Sequence, residues 1–327
     1  MSHAAWRGAR RGRDSRSGSP PCRAPRRLLP RRRPVRMTGG TRRVTTPDGV
    51  ELALHRLRAH RDGRPAVLLV HGAFTNHRFW LHSPDGSDGG AETGAGGLAH
   101  FFGAAGLDVW LADLRHHGDS AREPRRGAWT FEDWVLHDTP TLVARVREET
   151  DGAPLAWIGH SAGGAAGLCW LARVAAAAPI GGIVTLGTPG PRRLGPVRRA
   201  AAAATVAVSR ALGHFPARRF RFGNEDEAAE IIAEWMEWNV RGRWVGVDGF
   251  DYFAGLAALS TPYLGVAGSS DWLFAPPRAC RQVVDRIGSA RKSLTIARGL
   301  SHRGLVVNPR ARTDCWPNIV AWLKETL

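Results

Sequence analysis

One serine, flanked on both sides by glycines, points most directly to chemistry in this sequence. It stands in the pentapeptide Gly-His-Ser-Ala-Gly at residues 159–163, directly after an apolar run and directly before a helix-forming stretch. A serine on a sharp strand-to-helix turn exposes its hydroxyl, and glycines allow the close backbone approach that such a turn needs. The N-terminus of the helix presents free N–H groups to developing negative charge. We therefore predict a nucleophile at Ser161.

The elements that must position this serine alternate between strands and helices. Strand-type runs occur at 43–46, 50–57, 66–70, 107–112, 155–158, 180–186, 263–267 and 293–297. Helical patterns occur at 98–105, 131–150, 162–178, 280–287 and 313–327. This alternation predicts an α/β fold, with a mostly parallel sheet and helices on both of its faces. Residues of about 190–260 carry helical patterns without a clear strand, which predicts a helical cap inserted over one end of the sheet.

From about Thr41 to Leu327 the sequence resembles the α/β-hydrolase-fold serine hydrolases. The resemblance rests on the pentapeptide in its strand–turn–helix context. It implies an eight-stranded, mostly parallel sheet with a helical cap insertion. It also implies a catalytic triad in the chain order serine, acid, histidine, with the acid after a late strand and the histidine after the last one.

The resemblance implies Asp271 and His302 as the partners of Ser161. Asp271 follows the strand that comes after the insertion, whereas Asp285 is a poorer candidate because it lies within the next predicted helix. His302 follows the last predicted strand and is the only histidine after His214. In these roles His302 takes the proton of Ser161 and later delivers it to the leaving group, while Asp271 orients the imidazole.

Two backbone N–H groups are implied as the oxyanion hole. Ala162, directly after the nucleophile, supplies one of them. The segment His-Gly-Ala-Phe at 71–74 resembles the family's second oxyanion element, with Ala73 as the preferred donor and Phe74 as the alternative. In the family a histidine such as His71 supports this loop and takes no part in the chemistry.

A longer segment is similar to the acid and neutral lipase branch of this family. Its features are Gly-Leu-Asp-Val-Trp-Leu at 106–111, Trp129 and Asp-Thr-Pro at 138–140. This similarity covers only about residues 65–165, and that branch is typically secreted or lysosomal, whereas we recognise no signal peptide here. Asp113 and Arg115, within a string common to many branches, are interpreted as structural loop residues.

The charge distribution argues against a nucleic-acid partner. The net charge is +17, but residues 1–43 hold 14 arginines and one acidic residue, Asp14, which leaves about +4 for the remainder. Lys292 and Lys324 are the only lysines, a bias typical of a GC-rich genome. Four widely spaced cysteines suit a reducing cytoplasm, and no apolar run is long enough to span a membrane. The histidines at 71, 77 and 82 lack a suitably spaced carboxylate or cysteine, so we expect no metal and no cofactor.

We expect two regions of unequal size. Residues 1–40, rich in Arg, Pro, Ser and Gly, are predicted to be a disordered tail, and Met37 is an alternative start of the protein. Residues 41–327 are predicted to form the hydrolase domain, with the cap at about 190–260. An arginine-armed nucleic-acid binder is a minor alternative that depends on the tail.

These features predict a serine hydrolase that cleaves a small-molecule carboxylic ester of moderately apolar character through an acyl-enzyme on Ser161. Aromatic residues of the cap would line an apolar pocket if they face the nucleophile. The stretch 224–227 is interpreted as capping and charging the start of the helix that follows. An amidase or peptidase, thioesterase or lactonase on the same triad is an alternative, and so is a non-catalytic binding protein with this fold. The sequence does not indicate the substrate-binding residues or the oligomeric state.

Overall fold

A computed structural model describes residues 40–57, 63–82, 96–123, 127–175 and 179–327, so all but the last residue of the predicted tail at 1–40 lies outside it. Eight strands form one sheet, in the order β1-β2-β4-β3-β5-β6-β9-β10. Its strands are β1 (Thr41–Thr45), β2 (Glu51–Leu57), β3 (Ala66–Val70), β4 (Asp108–Asp113), β5 (Leu155–His160), β6 (Gly182–Leu186), β9 (Tyr263–Gly268) and β10 (Lys292–Ala297). β2 pairs antiparallel with β1 and β4, and all other neighbours are parallel. The predicted fold class is confirmed.

Helices pack on both faces of this sheet. The α-helices of the described residues are α1 (Arg78–Leu81), α2 (Leu98–Ala104), α3 (Phe131–Asp133), α4 (Thr139–Glu149), α5 (Ala162–Val174), α6 (Pro196–Leu212), α7 (Ala229–Arg241), α8 (Tyr252–Gly255), α9 (Pro277–Arg286), α10 (Gly304–Val307), α11 (Pro309–Asp314) and α12 (Trp316–Thr326). Alternate residues of β3 enter two separate cores. Leu68 belongs to the core that includes residues of α4, α5 and α9, and Leu69 to the core that includes residues of α2, α11 and α12. This division explains why β3 is apolar along its whole length.

The predicted helix over 131–150 is interrupted. A π-helical turn, Trp134–Asp138, separates α3 from α4. Pro140 has no N–H to donate to the preceding turn, and the Trp134 carbonyl accepts both from the Thr139 N–H and, at 2.7 Å, from the Thr139 hydroxyl. The wider turn leaves the buried Asp138 carboxylate to accept hydrogen bonds from Arg115.

The segment between β6 and β9 is helical, with α6 and α7 as its longest elements. It also holds two short strands that its sequence did not indicate, β7 (His214–Phe215) and β8 (Glu227–Ala228), which pair antiparallel. Within the described ranges, no helix is both long and apolar enough to cross a bilayer.

Candidate active site

The predicted nucleophile lies on a strained turn between β5 and α5. Ser161 has φ 50° and ψ −118°, a conformation that residues with a side chain rarely adopt. Its N–H donates to the Leu186 carbonyl at 2.9 Å, and its own carbonyl accepts from Thr188 Oγ1 at 2.9 Å. These bonds from the end of β6 hold the turn, and the Ser161 side chain is left partly exposed.

The two glycines of the pentapeptide let three backbone segments meet at this turn. A Cβ at Gly159 would lie 2.4 Å from Gly164 Cα, and a Cβ at Gly163 would lie 2.2 Å from the His71 carbonyl oxygen. Neither neighbour can move away cheaply, because both are backbone atoms. Gly163 therefore allows the N-terminus of α5 to pack against the end of β3 and against His71, the first residue of the predicted oxyanion segment.

The predicted acid and base lie together at the carboxyl ends of β9 and β10. His302 Nδ1 is 2.6 Å from Asp271 Oδ2, and Asp271 is 3 % exposed. The other carboxylate oxygen accepts from the Phe274 N–H at 3.0 Å. Burial disfavours the charge on Asp271, but the hydrogen bond and the charge of His302 outweigh it and lower the pKa of this carboxyl. The carboxylate can therefore orient the imidazole and stabilise an imidazolium.

His302 lies beside the turn that carries Ser161. Its ring centroid is 4.7 Å from that of His160, the residue before Ser161, and its carbonyl oxygen is 3.2 Å from His160 Nε2. A Cβ at Gly187 would lie 3.0 Å from His302 Nδ1, so the imidazole also packs on the end of β6. No hydrogen bond joins the Ser161 hydroxyl to His302 among the described residues, and such bonds commonly tighten only with substrate bound.

The segment at 71–74 runs directly past the serine. A Cβ at Gly72 would lie 3.0 Å from Ser161 Cβ. Phe74 has φ 69°, and its N–H donates to Glu227 Oε2 at 3.3 Å. By contrast, the N–H groups of Ala73 and Ala162 have no acceptor among the described residues. Two unused donors therefore flank the position of the serine.

His71 is buried and bonded through both ring nitrogens. Its Nε2 accepts from the Leu114 N–H at 3.1 Å, so Nδ1 carries the proton and donates to the Gly72 carbonyl at 2.8 Å. Burial and the charge of His117 lower the pKa of His71 to about 4. A neutral His71 thus ties the loop to the end of β4, in keeping with the supporting role expected for it.

Glu225 and Glu227 do not cap α7. The residue that precedes α7 is Ala228, without a side-chain cap. Glu225 Oε1 instead accepts from Asn76 Nδ2 at 2.6 Å, and the Glu225 N–H donates to the Phe74 carbonyl at 2.9 Å. The segment therefore bonds to the predicted oxyanion loop, and the interpretation of 224–227 as a helix cap is wrong.

Glu227 is fully buried, with Oε2 only 3.2 Å from His117 Nε2. Burial disfavours the charge on His117, but the carboxylate of Glu227 outweighs it and raises the pKa of this imidazole. Sequence reasoning missed this pair because its members are 110 positions apart. No short-range pattern links them.

Phenylalanine rings form an apolar wall beside His302. The ring centroid of Phe274 is 5.0 Å from that of His302, and the ring centroid of Phe222 is 5.8 Å from that of Phe274. Phe215 and Phe74 extend the wall through ring contacts of 6.0 and 6.2 Å with Phe222. Phe222 and Phe274 remain 38 % and 37 % exposed. The wall can therefore contact an apolar group of a bound molecule.

Asp113 is the centre of a buried polar cluster away from the triad. Its carboxylate accepts from the His77 N–H at 2.7 Å and the Asp119 N–H at 2.9 Å, and it contacts the rings of His77 and His55 at 2.7 and 3.2 Å. Potential ligand atoms of these four residues lie within 4.8 Å of one another. Because backbone N–H groups of both loops bond to this carboxylate, the cluster holds the loops after β3 and β4 together.

Part of the chain is similar to curated lipases. Over 133 residues it is 29 % identical to lipase member N of Mus musculus, and the matched stretch covers 37 % of this chain and 31 % of that protein. Over 135 residues it is 27 % identical to the gastric triacylglycerol lipase of Bos taurus, with 37 % and 32 % covered. The chain therefore spans about a third of the length of these relatives.

Solved structures extend the likeness to nearly the whole fold. An esterase from Thermogutta terrifontis matches with a TM-score of 0.60 and 18 % identity, over 88 % of this chain and 99 % of that one. A monoacylglycerol lipase from Paleococcus ferrophilus matches with a TM-score of 0.56 and 17 % identity, over 85 % and 100 %. The model of the alpha/beta hydrolase family matches residues 67–313. This match covers well over half of the chain, which therefore belongs to the alpha/beta hydrolase family.

Proposed function

We propose that this protein hydrolyses carboxylic esters through an acyl-enzyme on Ser161. The observation that carries the proposal is the 2.6 Å contact between His302 and Asp271 beside the strained turn of Ser161. Ser161 Oγ attacks the ester carbonyl carbon while His302 Nε2 takes its proton. His302 then protonates the departing alkoxide, and water attacks the acyl-enzyme with the same imidazole as base.

The tetrahedral intermediate needs donors for its oxyanion, and we assign the N–H groups of Ala73 and Ala162. Both lack an acceptor among the described residues, whereas the Phe74 N–H is bonded to Glu227. This difference favours Ala73 over Phe74. Preorganised N–H groups of this kind typically contribute about 10²–10³-fold to turnover each.

We propose a substrate with a moderately apolar acyl or aryl group. The support is the wall of Phe274, Phe222, Phe215 and Phe74 beside His302, part of which belongs to the helical segment between β6 and β9. In this role the segment is the cap of the site. The names of the partial relatives, lipases and a triacylglycerol lipase, agree with an ester substrate.

The decisive variant is Ser161→Ala, assayed on a series of p-nitrophenyl esters of increasing acyl length. We expect kcat to fall by at least about 10³-fold and labelling by a fluorophosphonate probe to disappear. Ser260→Ala, which removes an exposed hydroxyl, should retain both. Full activity of Ser161→Ala would refute the acyl-enzyme. Amide, thioester and lactone substrates in the same series distinguish an esterase from its alternatives.

A further inference from the structure

A cavity of about 540 Å³ lies outside the triad, where the N-terminal ends of α6 and α9 come together. Its wall contains Arg192, Arg193, Arg198, Arg278 and Gln282. The other lining residues are apolar or glycine, and none is Asp or Glu. Four cationic side chains therefore share one cavity without a carboxylate in its wall.

Other arginines of the segment between β6 and β9 form ion pairs with carboxylates. Arg210 and Arg218 are each 2.7 Å from a carboxylate, those of Glu230 and Asp226. No ion pair with a carboxylate is found for any of the four cavity arginines among the described residues. Since like charges repel at close range, an uncompensated cluster of this kind is stabilised when an anion enters it.

Arg192 is the most enclosed of the four. Its Nη1 donates to the Leu273 carbonyl at 3.0 Å, while its buried Nε has no hydrogen-bond partner among the described residues. Burial and the charge of Arg198 lower the pKa of its guanidinium. Arg192 also joins the cavity to the loop of Asp271, because Leu273 stands two positions after that carboxylate.

The two helix ends add to the positive potential. α6 begins at Pro196 and α9 at Pro277, and neither has a side chain that caps it. Their first turns line the cavity with Val197 and Ala279. The aligned peptide dipoles of a helix give its N-terminal end a partial positive charge of about +0.5, so both helices favour an anion at this place.

We propose that this cavity is a binding site for a phosphate-type oxyanion. Guanidinium groups pair with phosphate through two parallel hydrogen bonds, and several of them together neutralise a multiply charged group. The anion is either free or the charged part of a larger molecule that reaches the site of Ser161. The proposal concerns binding and does not depend on ester hydrolysis.

Calorimetry of the full chain with inorganic pyrophosphate, at constant ionic strength, tests the site. We expect Arg198→Gln and Arg278→Gln each to weaken binding by at least tenfold. Both side chains are exposed, and circular dichroism checks that both variants fold. Arg281→Gln is the matched control, because Arg281 is exposed on α9 but does not line the cavity, and it should bind within twofold of the parent. No binding by the parent chain, or an equal loss in all three variants, overturns the proposal.

Kinetics with two esters, one carrying a phosphate group and one neutral, identify the source of the anion. If Arg198→Gln raises KM at least tenfold for the phosphate-bearing ester alone, the site holds a substrate group. If both KM values are unchanged in Arg198→Gln while its pyrophosphate binding is lost, the site holds a free anion. Either result supports the site, whereas an equal rise of KM for both esters contradicts it. A chain inactive on every ester would refute the proposed hydrolysis, and the calorimetry alone would then support or overturn the anion site.

Discussion

The carboxylate of Asp271 has a role that its amide could not fill. An asparagine would still reach His302 Nδ1, but it favours the imidazole tautomer that cannot accept the serine proton. We expect Asp271→Asn to lower kcat for a p-nitrophenyl ester by about 10³–10⁴-fold, with little change in KM. The control is Asp285→Asn, which changes an exposed carboxylate on α9. Equal losses in the two variants would show that Asp271 is not the orienting acid.

Glu234 makes stability depend on pH. Burial raises the pKa of this carboxyl from 4.5 to about 7, and the charge of Glu132 adds to the effect. At a pH between these two pKa values, the folded chain keeps the proton on Glu234 and the unfolded chain has lost it. The free energy of unfolding therefore falls as pH rises through this range. Relative to Glu234→Gln, the parent should lose roughly 2–3 kcal/mol of unfolding free energy between pH 5 and pH 8.

Urea unfolding of both chains at the two pH values measures this difference. Glu325→Gln, at an exposed position of α12, should show no such change relative to the parent. The raised pKa requires the difference in unfolding free energy between the parent and Glu234→Gln to change with pH. An equal difference at pH 5 and at pH 8 would contradict it.

At the scale of elements, the segment before α7 joins the cap to the loop after β3. Glu227 accepts from the Phe74 N–H and pairs with the buried His117. Glu227→Ala would leave this imidazole without its partner, which typically costs about 1–3 kcal/mol, and would release the loop beside Ala73. We expect kcat to fall about tenfold while KM changes less, because the oxyanion contact matters mainly in the transition state.

Two further variants separate positioning from folding. Glu227→Gln can still accept from the Phe74 N–H and should recover part of kcat. Glu230→Ala, which breaks an exposed ion pair between α7 and Arg210 of α6, should leave kcat unchanged. A tenfold loss in Glu230→Ala, or a loss confined to KM in Glu227→Ala, would assign the effect to the cap as a whole.

The elements that the sequence predicted well are those with a local signal. All eight sheet strands begin and end within two residues of the predicted strand-type runs. Five of them, β3 to β6 and β9, are buried along their whole length, and a strand buried on both faces must be apolar throughout. The turn at Ser161 was equally visible, since its glycines are required by the backbone atoms that they touch. The π-helical turn was not predicted, because a helical period continues across it and only Pro140 marks the place.

The features that could not be predicted depend on contacts between distant parts of the whole molecule. The sheet order brings β5, β6, β9 and β10 side by side, and this juxtaposition, which the family resemblance implied but no local pattern indicated, sets His302 beside the turn of Ser161. The burial of Glu227 against His117 and the arginine cavity depend on how the segment between β6 and β9 folds back. The high arginine content of the whole chain reflects a general bias towards arginine over lysine. The placement of four arginines in one cavity is a property of the fold.

The distribution of charge over the whole chain leads to the last prediction. Twelve arginines and one acidic residue lie within residues 1–36, whereas the triad, the loop of Ala73 and the arginine cavity all lie beyond residue 70. We expect deletion of residues 1–36 to leave kcat/KM for p-nitrophenyl esters and Tm unchanged. The shortened chain should elute from a cation exchanger at clearly lower salt, because most of the +17 net charge is removed. A loss of kcat/KM on deletion would mean that these residues contribute to the site, and an unchanged elution would mean that their charge is neutralised within the full-length protein.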